Sequence, residues 1–224
     1  MNFNVPRERR RFYLERGFRK QPVGAGSSLR RLMEFKREVL HVNPTELFGD
    51  IEAVIVGGVA TRAYAPERHT KDIDFLVEHA RYDEAQRRLA SEGWMKNEEL
   101  FFPNTSLGLR GSAWERNNAS IDVMSTGQEW GREALALEAF DQAGLRVIAL
   151  PYLVLMKLES ARGIDQGDLT RMLGRLNEQE IEHITKVVER HSRDPQSAED
   201  VRQYALLGQL EWEQGPHDQP HDPT

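Results

Sequence analysis

Two aspartates lie one residue apart inside an apolar stretch, in the segment HTKDIDFLVE (69–78). On a β-strand successive side chains point to opposite faces, so Asp72 and Asp74 would share one face while Ile73 and Phe75 point into a core. Two carboxylates held side by side repel each other and raise one pKa unless a cation lies between them. Magnesium suits such a pair, because it takes oxygen ligands, usually one or two carboxylates plus substrate phosphates. An exposed strand edge or a turn is the alternative interpretation.

Two glycines and a further aspartate belong to the same candidate site. Gly57 and Gly58 follow the apolar stretch AVIV and precede a short helical segment. Glycines between a strand and a helix let backbone N–H groups approach a phosphate closely, although a tight turn would also use them. Asp122 lies in the apolar segment ASIDVMS. If its strand lies beside that of Asp74, the acids converge on one edge of a sheet; otherwise Asp122 is an ordinary half-exposed strand residue.

A lysine and several charged residues after it form a second group. Lys157 is the one charge in the apolar segment IALPYLVLMKL, so its ammonium must reach the surface, pair with an acid or meet a ligand. Arg162 could bind a phosphate or pair with an acid. Asp165 and Asp168 are three residues apart near a helix start, where carboxylates also cap free N–H groups. Capping and a role in the site both remain open for these two acids.

The hydrophobic pattern predicts the elements that position these residues. Period-two or continuous apolar runs predict strands at IEAVIVGG, DIDFLVE, ELFFP, LGLRG, ASIDVMS and LRVIAL. Helical periodicity is found first at LRRLMEFKREVLHV, VATRAYA and RYDEAQRRLASEG. From Pro151, which suits a first helical position, it continues through PYLVLMKLESARG, DLTRMLGRL, EQEIEHITKVVERH and AEDVRQYALLGQL.

This order of elements predicts an α/β (α+β) fold, with a small mixed sheet flanked by helices and a helical part after it. The boundary at Pro151 has no flexible linker, so we expect the two parts to pack together. The predicted organisation is a basic N-terminal arm (1–26), an α/β core (27–150), a helical C-terminal part packed on the core (151–210) and a disordered tail (211–224).

Composition limits the function classes. The chain has 224 residues and no cysteine, which excludes a disulfide framework, a thiol nucleophile and a thiolate metal site. Residues 1–40 carry 11 Lys and Arg against 4 Asp and Glu, whereas the whole chain has a net charge of −6. The basic arm predicts either a nucleic-acid contact or a solvated tail. With no signal peptide and no apolar run long enough to span a bilayer, we expect a cytoplasmic protein without a membrane partner.

The segment VGGVATRAYAPERHTKDIDFLV resembles the signature of nucleotidyltransferases built on the DNA polymerase β fold. Their pattern is an apolar strand, two small residues, a spacer of about ten residues and D-x-D on the next strand. The minimal and abortive-infection branch, the AbiEii or MenT-type toxins, is the most similar, because Arg68 and Thr70 match its Arg-x-Thr. The same branch carries K-L-x-x-x-x-R followed by D-x-x-D, which Lys157, Arg162 and the two acids after it match.

The resemblance implies a role for each matching residue. Gly57 and Gly58 would hold a triphosphate, and Lys157 would contact nucleotide phosphates. Asp72 and Asp74 would bind Mg²⁺ or Mn²⁺, with Asp122 as the third acid of the catalytic and metal site. Further nucleotide contacts are expected from Arg62, Arg68, Thr70 and Arg162, and Asp165 and Asp168 match acids near the site.

The implied function is transfer of a nucleoside monophosphate from ATP or another NTP to an acceptor hydroxyl. The basic arm favours an RNA acceptor, for example a tRNA 3′ end, and a toxin would also imply a neutralising antitoxin protein. A protein hydroxyl and a small antibiotic-like molecule are the alternative acceptors. Two other classes remain open: a non-catalytic binding or regulatory module of this fold, and an interaction protein in which D-x-D is coincidental.

Overall fold

The structure is a computed structural model that describes residues 44–65, 72–102, 105–117, 119–142, 144–160 and 162–214. The N-terminal arm, the helix predicted at LRRLMEFKREVLHV and residues 215–224 of the predicted tail lie outside these residues, whereas residues 211–214 of that tail form the end of the last helix. The strands are β1 (Ala53–Val56), β2 (Ile73–Val77), β3 (Met95–Leu100), β4 (Leu109–Arg116) and β5 (Ala119–Thr126). The helices are α1 (Pro44–Phe48), α2 (Gly57–Tyr64), α3 (Tyr82–Ser91), α4 (Glu129–Ala136), α5 (Leu150–Ser160), α6 (Gly163–Leu173), α7 (Glu178–His191) and α8 (Ser197–Gln214), with a 3-10 turn at His79–Arg81.

The five strands form one mixed sheet in the order β1-β2-β5-β4-β3. The β2–β5 pair is parallel, and the other three pairs are antiparallel. The two central strands, β2 and β5, are mostly buried, as their apolar residues predict, whereas the edge strand β3 reads MKNEEL and is exposed along nearly its whole length. Charged side chains on an edge strand discourage pairing with another chain. The predicted mixed α/β fold is therefore confirmed.

The helices cover the sheet as their sequences dictate. In α3 the buried residues Tyr82, Ala85 and Leu89 recur at helical spacing, which gives the helix one apolar side. Most of α5 is buried, in keeping with its apolar sequence. Helix α7 begins with a reciprocal capping box, in which Asn177 and Glu180 each accept from the other's backbone N–H. Helix α5 packs against α2 and α7, and α6 packs against α8, so the helical part lies next to the strand–helix unit that carries the paired glycines.

Two segments that follow β5 differ from the sequence prediction. LRVIAL (145–150) was expected to be the last strand, but it makes only isolated bridges, Ile55 with Val147 and Phe140 with Arg146, and Leu150 already begins α5. The strand prediction is wrong because the following helix starts inside the apolar run and leaves too few residues for a ladder. Helix α4 was not predicted. Its Trp130 is buried and donates its indole N–H to the Leu107 carbonyl at 3.0 Å.

Among the described residues, none of the helices combines the length and the apolar character needed to cross a bilayer.

Candidate active site

Asp74 and Asp122 are direct neighbours across the parallel pair of β2 and β5. Parallel strands lie about 4.8 Å apart, and residues in register share a face of the sheet. The expectation that the Asp122 strand lies beside the Asp74 strand is confirmed. The register partners on the opposite face, Ile73 with Ile121 and Phe75 with Val123, are all buried. Apolar residues on the opposite face therefore fix the register that puts the two carboxylates side by side.

Neighbouring groups compensate the negative charges of the two carboxylates only in part. Burial raises the pKa of Asp74 to about 7, and the charge of Asp122 adds to the increase, while Arg162 and the backbone amide of Gly58 partly offset it. Burial also raises the pKa of Asp122 to about 6, with smaller contributions from the charges of Asp72 and Glu98. A bound cation would stabilise the ionised form of both acids.

Asp72 lies at the bend just before β2 and is exposed. Its charge helps to raise the pKa of Asp122, so the two groups lie within electrostatic reach. It is absent from the residues that line the cleft described below. Within the described ranges, no three acidic or histidine side chains are grouped so that they could hold one metal ion together. The structure thus brings Asp74 and Asp122 together as a pair and leaves Asp72 beside them.

The first glycine allows the start of α2 to lie against Asp74. Gly57 has φ of +61°, and a Cβ added there would lie 1.9 Å from Asp74 Oδ2. No larger residue has room at this point, and a side chain would also strain the backbone. The backbone N–H of Gly58 lies close enough to the Asp74 carboxylate to lower its pKa. The N-terminal end of α2, where backbone N–H groups lack intrahelical partners, therefore borders the acid pair.

Lys157 is the centre of a buried ion cluster between α5 and α6. It is 4% exposed, and its Nζ donates to Asp165 Oδ1 at 2.8 Å and to Asp168 Oδ2 at 2.7 Å. Arg162 Nε donates to Asp165 Oδ2 at 2.7 Å, and Ser160 Oγ donates to the same oxygen. Burial alone would raise the pKa of Asp165, but the charges of Lys157 and Arg162 outweigh burial and lower it. The structure therefore brings the lysine and the two acids of the sequence motif together.

Removal of the central cation should destabilise the fold. In Lys157→Met, Asp165 and Asp168 lose their shared ammonium, and breaking a buried pair from one side costs about 3–5 kcal/mol. We expect the free energy of unfolding, measured by urea denaturation, to fall by about 3 kcal/mol. Lys186→Met is the matched control, since the Lys186 side chain is 67% exposed and pairs only at the surface with Glu182. Equal stabilities for the two variants would contradict the structural role of the cluster.

One cleft of about 390 Å³ joins the acid pair to the ion cluster, a size typical of small-molecule sites. At the polar end it is lined by Gly57, Asp74, Asp122, Lys157, Glu159, Ser160, Arg162 and Asp165. The guanidinium of Arg162 pairs with Asp165, and the Arg162 side chain remains 61% exposed. Its positive charge also lowers the pKa of Asp74. We call the apolar part of the lining the apolar wall, and it consists of Leu100, Phe101, Phe102, Leu107, Leu109, Met124, Leu153 and Met156.

No family model and no curated protein matches the chain. Two solved structures of the antibiotic-resistance factor ANT(2'')-Ia resemble it loosely. Its solution structure is 14% identical, with a TM-score of 0.40, and the match covers 82% of this chain and 94% of that one. Its crystal structure in complex with adenylyl-2''-tobramycin is also 14% identical, with a TM-score of 0.38 and coverage of 81% and 99%. A likeness of this size does not identify a family.

The arginines and the threonine predicted between the glycines and the acids are only partly placed. Arg62 lies in the last turn of α2 and is not one of the described residues that line the cleft. Arg68 and Thr70 lie outside the described residues. Their proposed contacts with phosphates therefore remain predictions.

Sequence reasoning missed three residues of this region. Glu159 is 2% exposed and accepts from the Ser106 backbone N–H at 2.9 Å, which holds the loop before β4 against α5. Glu98 acts on Asp122 from the edge strand. Phe101 lines the cleft while remaining 84% exposed. For Phe101 the sequence offered no periodic signal, because this residue lies just beyond the end of β3.

The acid pair makes the metal-free protein less stable as pH rises. Both folded pKa values lie above the ordinary aspartate value. The folded state therefore binds more protons than the unfolded state. The stability that results from this difference is present near pH 4 and is lost as pH rises through about 6 to 7. In EDTA, Asp74→Asn should therefore gain stability over the unaltered protein as pH rises, by about 2 kcal/mol at pH 8. Urea denaturation of both proteins at pH 4.5 and pH 8 measures this, and a difference that does not change with pH would contradict it.

Proposed function

We propose that this chain is a metal-dependent nucleotidyltransferase that moves a nucleoside monophosphate from an NTP to an acceptor hydroxyl. The observation that carries the proposal is the in-register pair of Asp74 and Asp122 next to the glycine-led start of α2, inside one cleft. Adjacent carboxylates beside free backbone N–H groups suit a metal-bound triphosphate. The sequence pattern of paired glycines followed by D-x-D supports the same conclusion.

The donor set fits magnesium or manganese. Asp74 and Asp122 offer hard oxygen ligands, and Mg²⁺ usually takes one or two protein carboxylates and completes its shell with phosphate oxygens and water. The charge of Asp72 acts on both acids and would add to the attraction of this site for a cation. The metal would supply positive charge against the triphosphate and against the negative charge that develops during in-line displacement.

Protein groups would hold the phosphates at the polar end of the cleft. Gly57 and Gly58 begin α2, and their backbone N–H groups would donate to a phosphate held beside the acid pair. The exposed guanidinium of Arg162 is anchored by Asp165 and offers further donors. Lys157 donates two of its three ammonium hydrogens to Asp165 and Asp168. Because Lys157 also lines the cleft, we propose that its third donor faces a phosphate.

The reaction would be an in-line substitution at the α-phosphorus. The acceptor oxygen forms a bond to the α-phosphorus, the bond from that phosphorus to the oxygen bridging the β-phosphate breaks, and pyrophosphate leaves with the electron pair. The hydroxyl proton passes to a carboxylate, for which we propose Asp122. Asp122 lines the cleft beside Asp74, where a carboxylate can accept the proton of a bound hydroxyl. The remaining contribution of the chain is positioning and fixed charge.

We propose an RNA 3′ end as the first acceptor, because the 40 N-terminal residues are strongly basic and such arms neutralise phosphate backbones. A small-molecule hydroxyl is the second, and a specific observation favours it: the cleft lining carries four carboxylates against two cations. Such a surface attracts amine-bearing molecules. A protein hydroxyl is the third acceptor class.

The abortive-infection branch is a further proposal, supported by the K-L-x-x-x-x-R and D-x-x-D pattern. It implies a cytoplasmic toxin with an antitoxin partner. Induced expression in a bacterial host should then arrest growth, and Asp74→Asn should abolish the arrest. Equal arrest by both proteins would contradict a toxin that acts through this site.

The proposed function is tested by supplying each of four α-labelled NTPs to the purified full chain with magnesium. Total RNA, a pool of aminoglycosides or no addition serves as the acceptor, and EDTA serves as the metal-free control. We expect EDTA-sensitive label on an acceptor and release of pyrophosphate. RNA label would establish the first acceptor class, and label on an aminoglycoside or on the protein would establish the second or third. Magnesium-dependent NTP binding without transfer to any acceptor would instead favour a non-catalytic member of the fold.

A further inference from the structure

The apolar wall ends in an aromatic ring that the fold leaves uncovered. Phe101 directly follows β3 and is 84% exposed, yet it lines the same cleft as the acid pair. The strand before it is exposed and polar. At the mouth of a cleft, a large apolar side chain is removed from water when it covers a ligand, which stabilises the complex. At an ordinary surface position its apolar surface stays in water, which is unfavourable.

A glycine on β4 keeps the floor beside this ring flat. Gly111 lies in register between Met124 on β5 and Leu100 on β3. A Cβ there would lie 3.0 Å from Met124 Cγ and 3.2 Å from Leu100 Cδ1, so the two neighbouring side chains already close over the glycine. No side chain from β4 therefore separates Met124 from Leu100 at this point, which leaves room for a flat ring beside them.

The register also sets the separation between this surface and the acids. Met124 is two residues beyond Asp122 on the same strand, so both face the cleft, roughly 7 Å apart along β5. One ligand can therefore span both ends, with a charged part at the acids and a flat apolar part on the wall. This separation is comparable to the length of a ribose unit between a base and its phosphate.

We infer that the apolar wall binds the base of the nucleotide substrate, with Phe101 stacked on the face of the base. The inference rests on the proposed function, which puts the triphosphate at the polar end of the cleft. An amine-rich acceptor suits the cleft less well than its four carboxylates suggest, because Glu159 already accepts from Ser106 and Ser192 and Asp165 is paired with Lys157. An aromatic side chain stacked on a base strengthens binding about tenfold or more.

The test compares two ligands that differ in the base. ATP and inorganic tripolyphosphate are titrated into the full chain with magnesium by calorimetry, using Phe101→Ala, Phe101→Tyr and Phe140→Ala. Phe140 is the matched control, because it is 58% exposed and is not among the described residues that line the cleft. We expect Phe101→Ala to weaken ATP binding about tenfold and to leave tripolyphosphate unchanged. Phe101→Tyr and Phe140→Ala should stay within about twofold of the unaltered protein.

Two results would overturn the inference, and they are distinguishable. If tripolyphosphate binds and Phe101→Ala leaves ATP affinity unchanged, or weakens both ligands equally, the base does not stack on Phe101 although the phosphate site is real. If the unaltered protein binds neither ligand, the proposed function fails and the base site fails with it. Because Phe101 is exposed, loss of its ring should not unfold the protein, and a thermal melt verifies this.

Discussion

Asp74→Asn should lower the rate of nucleotidyl transfer by on the order of 10³-fold or more while leaving the fold intact. Asparagine keeps the shape of the side chain but removes the negative charge that the proposed metal requires. Asp74 is also the most buried of the three candidate acids, and its pKa, about 7, shows how poorly its charge is compensated without a cation. In EDTA the variant should be more stable than the unaltered protein, because the repulsion from Asp122 is gone. Steady-state transfer assays and urea denaturation measure the two effects.

Asp83→Asn is the control for this prediction. Asp83 lies in the first turn of α3, its side chain is 70% exposed, and its ion partner is Arg110, at 3.6 Å. Its loss should change transfer by less than about twofold. If Asp74→Asn instead unfolds the protein, or retains full transfer, the pair of Asp74 and Asp122 is structural and the proposed site is wrong.

Gly57→Ala should be nearly as damaging to activity as loss of the acid itself. The added methyl would overlap Asp74 Oδ2, only 1.9 Å away, and alanine would have to adopt φ of +61°. Relief of the overlap must move either the carboxylate or the start of α2, and each would separate the metal site from the phosphate site. We expect transfer to fall by on the order of 10³-fold and stability to fall by about 1–3 kcal/mol.

Gly167→Ala provides the matched glycine control. Gly167 lies within α6, and a Cβ there meets nothing within 4 Å. Because alanine favours a helix over glycine, this variant should gain up to about 1 kcal/mol and keep its activity. A Gly57→Ala protein with normal transfer would show that close contact between the glycine and Asp74 is not required for function.

The acid pair was accessible from the sequence because two simple periodicities agree. Alternation along a strand puts Asp74 opposite its buried neighbours, and the apolar residues around Asp122 predict a second strand of the same kind. Their pairing required one further assumption, that the two strands are adjacent, and the register confirms it. Where Asp72 lies could not be predicted in the same way, because period-two alternation holds only inside the strand and Asp72 lies in the bend before it.

The cluster around Lys157 was only half predictable. A lone lysine in an apolar helix indicates that its charge needs a partner, but the sequence does not say whether that partner is a ligand or an acid. Asp165 and Asp168 reach the ammonium because α6 begins three residues after the end of α5 and packs against it. For Asp165, pairing with this cation, rather than capping alone, therefore accounts for the carboxylate.

The apolar wall was the least predictable part of the site. Its residues come from β3, β4, β5, α5 and the loop before β4, so no local pattern joins them. The polar strand β3 lacks the alternation that identifies a half-buried strand, and α4, which supports the loop through Trp130, was not predicted at all. Contacts between residues far apart in the sequence create this wall, and a pattern of short period does not encode them.

The central claim is that the α-phosphate, rather than the γ-phosphate, is transferred at the Asp74 and Asp122 pair. The most direct measurement supplies the full chain with an NTP labelled at either the α- or the γ-phosphate, together with magnesium and the acceptor pools, beside Asp74→Asn. The account predicts that α-label becomes attached to an acceptor, that γ-label appears only in pyrophosphate, and that the variant does neither. Attachment of γ-label to an acceptor, or transfer of α-label that survives in Asp74→Asn, would contradict it.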